Sequence, residues 1–206
     1  MNPFQVVRDF EQAMAEFTGA PYAVAVESCS IALEMCCHYK FIEGDEITIP
    51  KRTYPSVPAA IIRAGGKVKF EDNDEWQESG FYQLCGAGII DSAKNISKNS
   101  GPSKSGMLAC LSFHARKCLP IGRGGMILTV SEDAAEWFRS MRHDGRHDGV
   151  GMMEDELSGI GWNALMTPEQ AARGLTLMGN LKDVNISPVQ EYPDLSQYKF
   201  FTEANR

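Results

Sequence analysis

Apolar side chains at Phe4, Val7, Phe10, Met14 and Phe17 recur at three- and four-residue intervals, which sets them on one stripe of a helix over residues 3–18. Asn2 before Pro3 is a start signal for that helix and Gly19 a stop. The period then changes. Residues 22–26, Tyr-Ala-Val-Ala-Val, read as a short buried strand, and Ser28 is placed to cap a helix running to about Tyr39. Gly44-Asp45 turns the chain into a strand over 46–50, residues 55–63 return as a helix, and 67–70 form another strand. This βαβαβ alternation argues for a parallel sheet covered by helices.

An acidic stretch, Glu71 to Glu75, leads to Gly88-Ile89-Ile90-Asp91, a strand that ends in a carboxylate. Residues 95–105 form a polar loop of Ser, Asn, Lys and Gly, and an apolar strand follows over 107–113. A further strand is expected over 125–130. Ser131 caps a helix over 132–142, whose first turn carries Glu132 and Asp133 in favour of the helix dipole. Residues 143–161 are glycine-rich and irregular, 168–181 form a last helix, and the rest is an extended tail or docking arm. The expected architecture is α/β, three-layer, with a mostly parallel sheet flanked by helices. Residues 1–182 form its main domain and 183–206 a tail.

The chain has 206 residues and 43% hydrophobic content, enough for a real core. Twenty basic residues against 27 acidic ones give a net charge of −7, so the footprint of a nucleic-acid binder is missing. A basic cleft around a small anion remains compatible with that balance. No stretch approaches the roughly 18 apolar residues of a membrane span, and the N-terminal residues lack an apolar signal core, so a cytoplasmic protein is expected. The six cysteines show no C-x-x-C pair and most lie in apolar surroundings, as reduced buried thiols do. His143-Asp144-Gly145 is echoed by His147-Asp148-Gly149. Each pair is followed by a glycine that disfavours a shared helical face, so a solvated loop is expected in preference to a metal site.

Chemistry is concentrated at three places. Lys117 follows the apolar strand and leads into the glycine-rich Gly122-Arg123-Gly124-Gly125. A lysine held at a strand end beside a hydroxyl can lose hydration and become a nucleophilic amine, although a loop lysine is more often a solvated charge. Ser28-Cys29-Ser30 opens a helix directly after a strand, where backbone amides, two hydroxyls and the dipole favour an anion; the plain alternative is a serine cap. Asp91 sits at a strand's carboxyl end, where open α/β sheets place ligand groups, and its plain alternative is a turn aspartate. Together, an anion cradle, a strand-end carboxylate and a strand-end lysine occur in the order that pyridoxal phosphate needs for its phosphate, its ring nitrogen and its imine.

With those residues in view the chain resembles the DegT/DnrJ/EryC1/StrS sugar aminotransferases, within the fold-type I pyridoxal-phosphate enzymes, over about residues 10–178. Phe17-Thr18-Gly19-Ala20-Pro21-Tyr22 is similar to the family's first helix and strand, and Ser28-Cys29-Ser30 stands at its Ser-Gly-Thr phosphate loop. Pro50 to Tyr54 resembles its Pro-x-x-Thr-aromatic segment, which implies that Tyr54 stacks on the cofactor ring; otherwise Tyr54 is a core aromatic. Ile90-Asp91-Ser92-Ala93 resembles the strand whose aspartate meets the pyridine nitrogen, with Ala93 beneath the ring. Ser112-Phe113-His114-Ala115-Arg116-Lys117 resembles Ser-Phe-His-x-x-Lys, which implies that Lys117 forms the Schiff base and Ser112 binds phosphate. Gly161-Trp162-Asn163 resembles the segment that supplies Asn163 to the neighbouring subunit's phosphate, implying a homodimer with shared active sites.

The chain also departs from that pattern. Cys29 replaces the loop glycine, the 70–88 segment is short, and Leu165 stands in the place of a substrate-recognising arginine. Lys94 occupies the position of a glutamine or histidine near the cofactor's phenol oxygen, where a cation stabilises the phenolate. The resemblance implies amino transfer from glutamate or glutamine to a keto-sugar nucleotide. The rival expectation is a reduced, pyridoxal-phosphate-binding homodimeric module without transaminase activity. A generic nucleotide-binding domain is disfavoured, because neither G-x-G-x-x-G nor G-x-x-x-x-G-K-[ST] occurs.

Overall fold

The computed structural model describes residues 4–40 and 42–203. The Asn2-Pro3 start signal lies outside the described residues, as do positions 204–206 of the tail. Helix α1 (Gln5–Thr18) ends at Gly19 in the left-handed region, and strand β1 (Tyr22–Val26) follows. Helix α2 (Cys29–Tyr39) is capped by Ser28, whose hydroxyl accepts from the Ile31 amide at 3.3 Å. Strand β2 (Glu46–Pro50), helix α3 (Ser56–Arg63) and strand β3 (Lys67–Glu71) complete the first alternation.

Two short elements that the hydrophobic pattern did not reveal come next, helix α4 (Trp76–Ser79) and strand β4 (Tyr82–Leu84). Strands β5 (Ile89–Asp91), β6 (Leu108–Ser112) and β7 (Gly125–Thr129) follow, then helix α5 (Glu132–Met141), capped by Ser131. Helix α6 (Pro168–Met178) opens with a reciprocal capping box between Thr167 and Gln170. The tail carries a 3₁₀ turn (Leu195–Gln197) and a one-turn helix α7 (Lys199–Thr202), and it buries Leu195 and Phe201.

The layers are those of an α/β domain, but the expectation of a mostly parallel sheet needs a correction of strand direction. The main sheet runs β1-β7-β6-β5-β4, and within it only β5 and β6 pair in parallel. Connection length explains the antiparallel pairs. β4 enters β5 through the turn at Cys85 to Gly88, and β7 follows β6 after a loop with no helix in it. Such links suit antiparallel neighbours, whereas parallel ones need a crossover. The parallel reading holds for β2 and β3, which are joined by α3 and pair in parallel. The Thr48–Cys85 bridge, antiparallel, ties that pair to the end of β4.

Side chains alternate across the sheet. Val24, Val26, Cys110 and Ile127 face a core shared with α2, α3 and α5, while Ala23, Ala25, Leu111 and Met126 face α1 and α6. On that second face Phe10 and Phe113 pack with ring centroids 5.2 Å apart.

Strand direction places the site. β1 and β6 are both antiparallel to β7, and β5 is parallel to β6, so Val26, Asp91 and Ser112 end at one edge of the sheet. β2 runs the same way through its bridge to β4, so Pro50 delivers Thr53 and Tyr54 to that edge as well. Gly125 lies under the head of α2. A Cβ there would fall 2.4 Å from the Cys29 nitrogen and the Ser28 carbonyl carbon, so only glycine lets the helix end settle on the sheet.

Candidate active site

A cavity of about 780 Å³ opens at this edge. Ser28, Cys29 and Ser30 reach it from the head of α2, Asp91, Ala93 and Lys94 from the end of β5, Ser112 and Lys117 from β6 and its turn, and Tyr54 from the segment before α3. Nine of the ten residues singled out from the sequence therefore line one cavity. Asn163 does not: it is exposed and donates to Asp144 at 3.3 Å. Tyr54 is 57% exposed, so it is a wall of the cavity and the core-aromatic alternative falls away.

Asp91 is the buried acid of the site. Its carboxylate accepts from the Ala93 amide at 2.9 Å and from the Tyr82 hydroxyl at 3.1 Å. Tyr82 also lies 2.6 Å from the Thr53 hydroxyl, which makes a buried chain of three polar groups. Burial pushes the Asp91 carboxyl up from the ordinary range, against the pull of the Ala93 amide, the Tyr82 hydroxyl and the Lys117 charge. The Tyr82 hydroxyl is raised by burial and then by Asp91, so it stays protonated and donates. Desolvation likewise holds the Cys29 thiol neutral.

Lys94 is the unusual cation. Only 1% exposed, it has an ammonium without a hydrogen-bond partner among the described residues and lies 5.4 Å from the centre of the Trp76 ring. Burial lowers its pKa first, and the nearby Lys117 lowers it further. An ammonium in that position calls for an acceptor from a ligand. Lys117 itself is half-buried in the turn after β6, where its amide donates to the His114 carbonyl at 2.9 Å.

Several lining residues escaped the sequence reading. Thr53, Trp76, Arg116, Gln190 and Tyr192 meet here from separate elements, and Tyr82 stands behind them, hydrogen-bonded to Thr53. Tyr82 carried a detectable signal, since Tyr82-Gln83-Leu84 alternates as a strand does and buries Tyr82 and Leu84 on one face. Gln190 and Tyr192 carried none, because only the path of the tail brings them to the cavity. The His147 loop is exposed, as expected, and its own contacts order it. The His147 ring lies 2.7 Å from Asp155 and 2.9 Å from the Ser158 hydroxyl.

The donor set fits a small aromatic phosphate such as pyridoxal phosphate. The capped head of α2 can take an anion, Gly125 lets that head lie close on the sheet, one buried acid can face a ring cation, and the Lys94 ammonium has no acceptor among the described residues.

Comparison with known proteins agrees with this geometry. The model of the DegT/DnrJ/EryC1/StrS aminotransferase family matches residues 2–78 and 89–191. The spore coat polysaccharide biosynthesis protein SpsC of Bacillus subtilis is 28% identical over 223 aligned positions, covering 86% of this chain and 57% of the relative. GDP-perosamine synthase of Caulobacter vibrioides is 26% identical over 208 positions, covering 81% of this chain and 54% of the relative. The chain thus spans about half the length of the curated relatives it matches. Among solved structures, Streptococcus pneumoniae Spr1654 in its PLP form superposes with a TM-score of 0.68 at 19% identity, over 85% of this chain and 59% of that one.

Proposed function

Because the chain belongs to the DegT/DnrJ/EryC1/StrS aminotransferase family, we propose that its cavity holds pyridoxal 5′-phosphate and serves amino transfer from glutamate or glutamine to a keto-sugar nucleotide. The observation that supports this most is the meeting of a helix N-terminus, a buried carboxylate and a lysine in one cavity. Bound there, the cofactor supplies an aldehyde that captures amines and a ring that accepts electrons.

The chain's own residues divide the work. Ser28, Ser30, the amides around Cys29 and the Ser112 hydroxyl hold the phosphate. Asp91, fixed by Tyr82 and the Ala93 amide, keeps a proton on the ring nitrogen. Its burial makes a lone negative charge costly and a cationic partner correspondingly favourable. Tyr54 and Ala93 would hold its ring, and the Lys94 ammonium would donate to one of its oxygens. Lys117 would hold the cofactor through its amine and, when free, would move the proton at the donor's α-carbon.

Asn163 acts across a homodimer. It lies outside the cavity of its own chain, near a loop that exposes Met153 and Ile160 almost fully, and that apolar surface suits a second copy. Adding glutamate to the cofactor-loaded protein tests the reading. Conversion of the visible absorbance to that of the pyridoxamine form supports amino transfer, and a spectrum that no amino donor alters supports the binding module instead.

A further inference from the structure

The tail crosses the cavity as a narrow strap. Its near end is fastened by the Ser187 amide to the Lys94 carbonyl at 2.8 Å and by the Ile96 amide to the Asn185 carbonyl at 3.0 Å. Its far end is fastened by the Leu195 amide to the Lys51 carbonyl at 2.8 Å, with Leu195 buried. Between these anchors the contacts are sparse. The Gln190 amide donates to the Gln77 side chain at 3.2 Å, and the Tyr192 ring packs on Trp76 with centroids 5.9 Å apart. Pro188, Val189, Glu191 and Pro193 are exposed, so the span is a single layer with little burial to hold it down.

What lies beneath the strap lacks partners. Lys94 and Trp76 both line the cavity, and the Lys94 ammonium and the Trp76 indole N–H are buried without acceptors among the described residues. Tyr192 and Gln190 are the strap's two contributions to the same lining. The Tyr192 hydroxyl is pushed up to about 12 by burial and then by Asp91 and Tyr54, which keeps it protonated.

We infer that Tyr192 is a ligand-retaining residue, and that the strap carrying it must lift for a ligand to enter or leave the end of the cavity walled by Asp91, Lys94 and Trp76. This rests on the cofactor reading above, with pyridoxal-type phosphates as the ligand class. A ligand oxygen that satisfies the buried donors stabilises the closed strap. The closed strap in turn excludes water from Asp91, where a buried ion pair gains most from a dry surrounding. Gln77, which lines no part of the cavity, acts only through its bond to the strap.

The test uses the full chain and pyridoxamine 5′-phosphate, a probe without an aldehyde, so that retention is read independently of Lys117. Tyr192→Ala is expected to release the probe about tenfold faster in a fluorescence chase, the scale of one lost aromatic contact expressed in the off-rate. Tyr192→Phe, which keeps the ring, is expected to stay near the parent rate. Gln77→Ala is expected to speed binding and release together while leaving the equilibrium constant nearly unchanged, a signature of a gate that simple loss of structure does not produce. Amide exchange over 189–194 is expected to slow when the probe is bound. Unchanged rates in both Tyr192→Ala and Gln77→Ala overturn the inference and leave the cofactor reading standing. Failure of the parent protein to bind the probe overturns both.

Discussion

At the scale of single residues, the site holds two charges that the ligand-free protein tolerates poorly. Burial lowers the Lys94 pKa, so the folded chain grips that proton less tightly than the unfolded chain does. Its contribution to stability is present above the ordinary lysine range and is lost as pH falls through the depressed folded value. Lys94→Met is therefore expected to raise the melting temperature of the ligand-free protein at neutral pH and to weaken pyridoxal phosphate binding. Differential scanning fluorimetry with and without cofactor reads both changes, and a lower ligand-free melting temperature would count against the account. Asp91 behaves in the opposite sense. Its carboxyl is raised, so the folded chain holds the proton more tightly, and stability present at low pH is lost as pH rises through the raised value. Asp91→Asn should accordingly stabilise the ligand-free protein at neutral pH while weakening pyridoxal phosphate binding. Melting curves recorded across pH should show the parent's excess loss missing from the variant. Asp91 was legible in the sequence because it ends an apolar run, and Lys117 because it stands in the turn that follows one. The alternation at Tyr82 marks a strand but not its bond to Asp91, and Trp76 carried no signal, since its value to the site comes from meeting Lys94.

At the scale of elements, the position of α2 decides whether the anion cradle exists. Ser28 was recognisable as its cap, and β1, α2 and β2 fall where the hydrophobic pattern set them. Strand direction was not recognisable, because periodicity marks which faces are buried and says nothing of which neighbour a strand takes. The role of Gly125 emerges only from that pairing, since its place opposite Val26 and Ser112 brings it under the helix end. Gly125→Ala is expected to lift α2 off the sheet, because the new carbon meets the backbone of Ser28 and Cys29. Its signature is a loss of pyridoxal phosphate affinity together with a lower melting temperature. Ser28→Ala removes the cap at a cost of about 1 kcal/mol. For a chain of this size that corresponds to a fall of roughly 2–4 °C in melting temperature. A Ser28→Ala protein that melts as the parent does would remove the cap from the account.

At the scale of the whole molecule, one buried ion pair joins the first helix to the second half of the chain. Glu11 on α1 and Arg142 after α5 are both nearly inaccessible and hydrogen-bonded to each other. The Glu11 carboxylate also accepts from the Ala25 amide at 2.8 Å, and Arg142 donates to the Ala25 carbonyl at 2.6 Å, so both partners grip β1. Glu11→Ala leaves the buried guanidinium with Asp148, 3.8 Å away, as its remaining counter-charge, and is expected to cost about 3 kcal/mol, measured by urea unfolding. Neither this clamp nor the strap could be read along the chain, because each depends on residues more than a hundred positions apart coming together. The three-layer architecture was legible for the opposite reason: each helix and strand announces its own buried face locally.

The most direct test of the central claim is borohydride reduction of the protein mixed with pyridoxal phosphate, followed by peptide mapping. A Schiff base at Lys117 yields a single phosphopyridoxyl adduct on that residue, absent from Lys117→Ala along with the visible absorbance. A stable adduct on another lysine, or an unchanged spectrum in that variant, would contradict it.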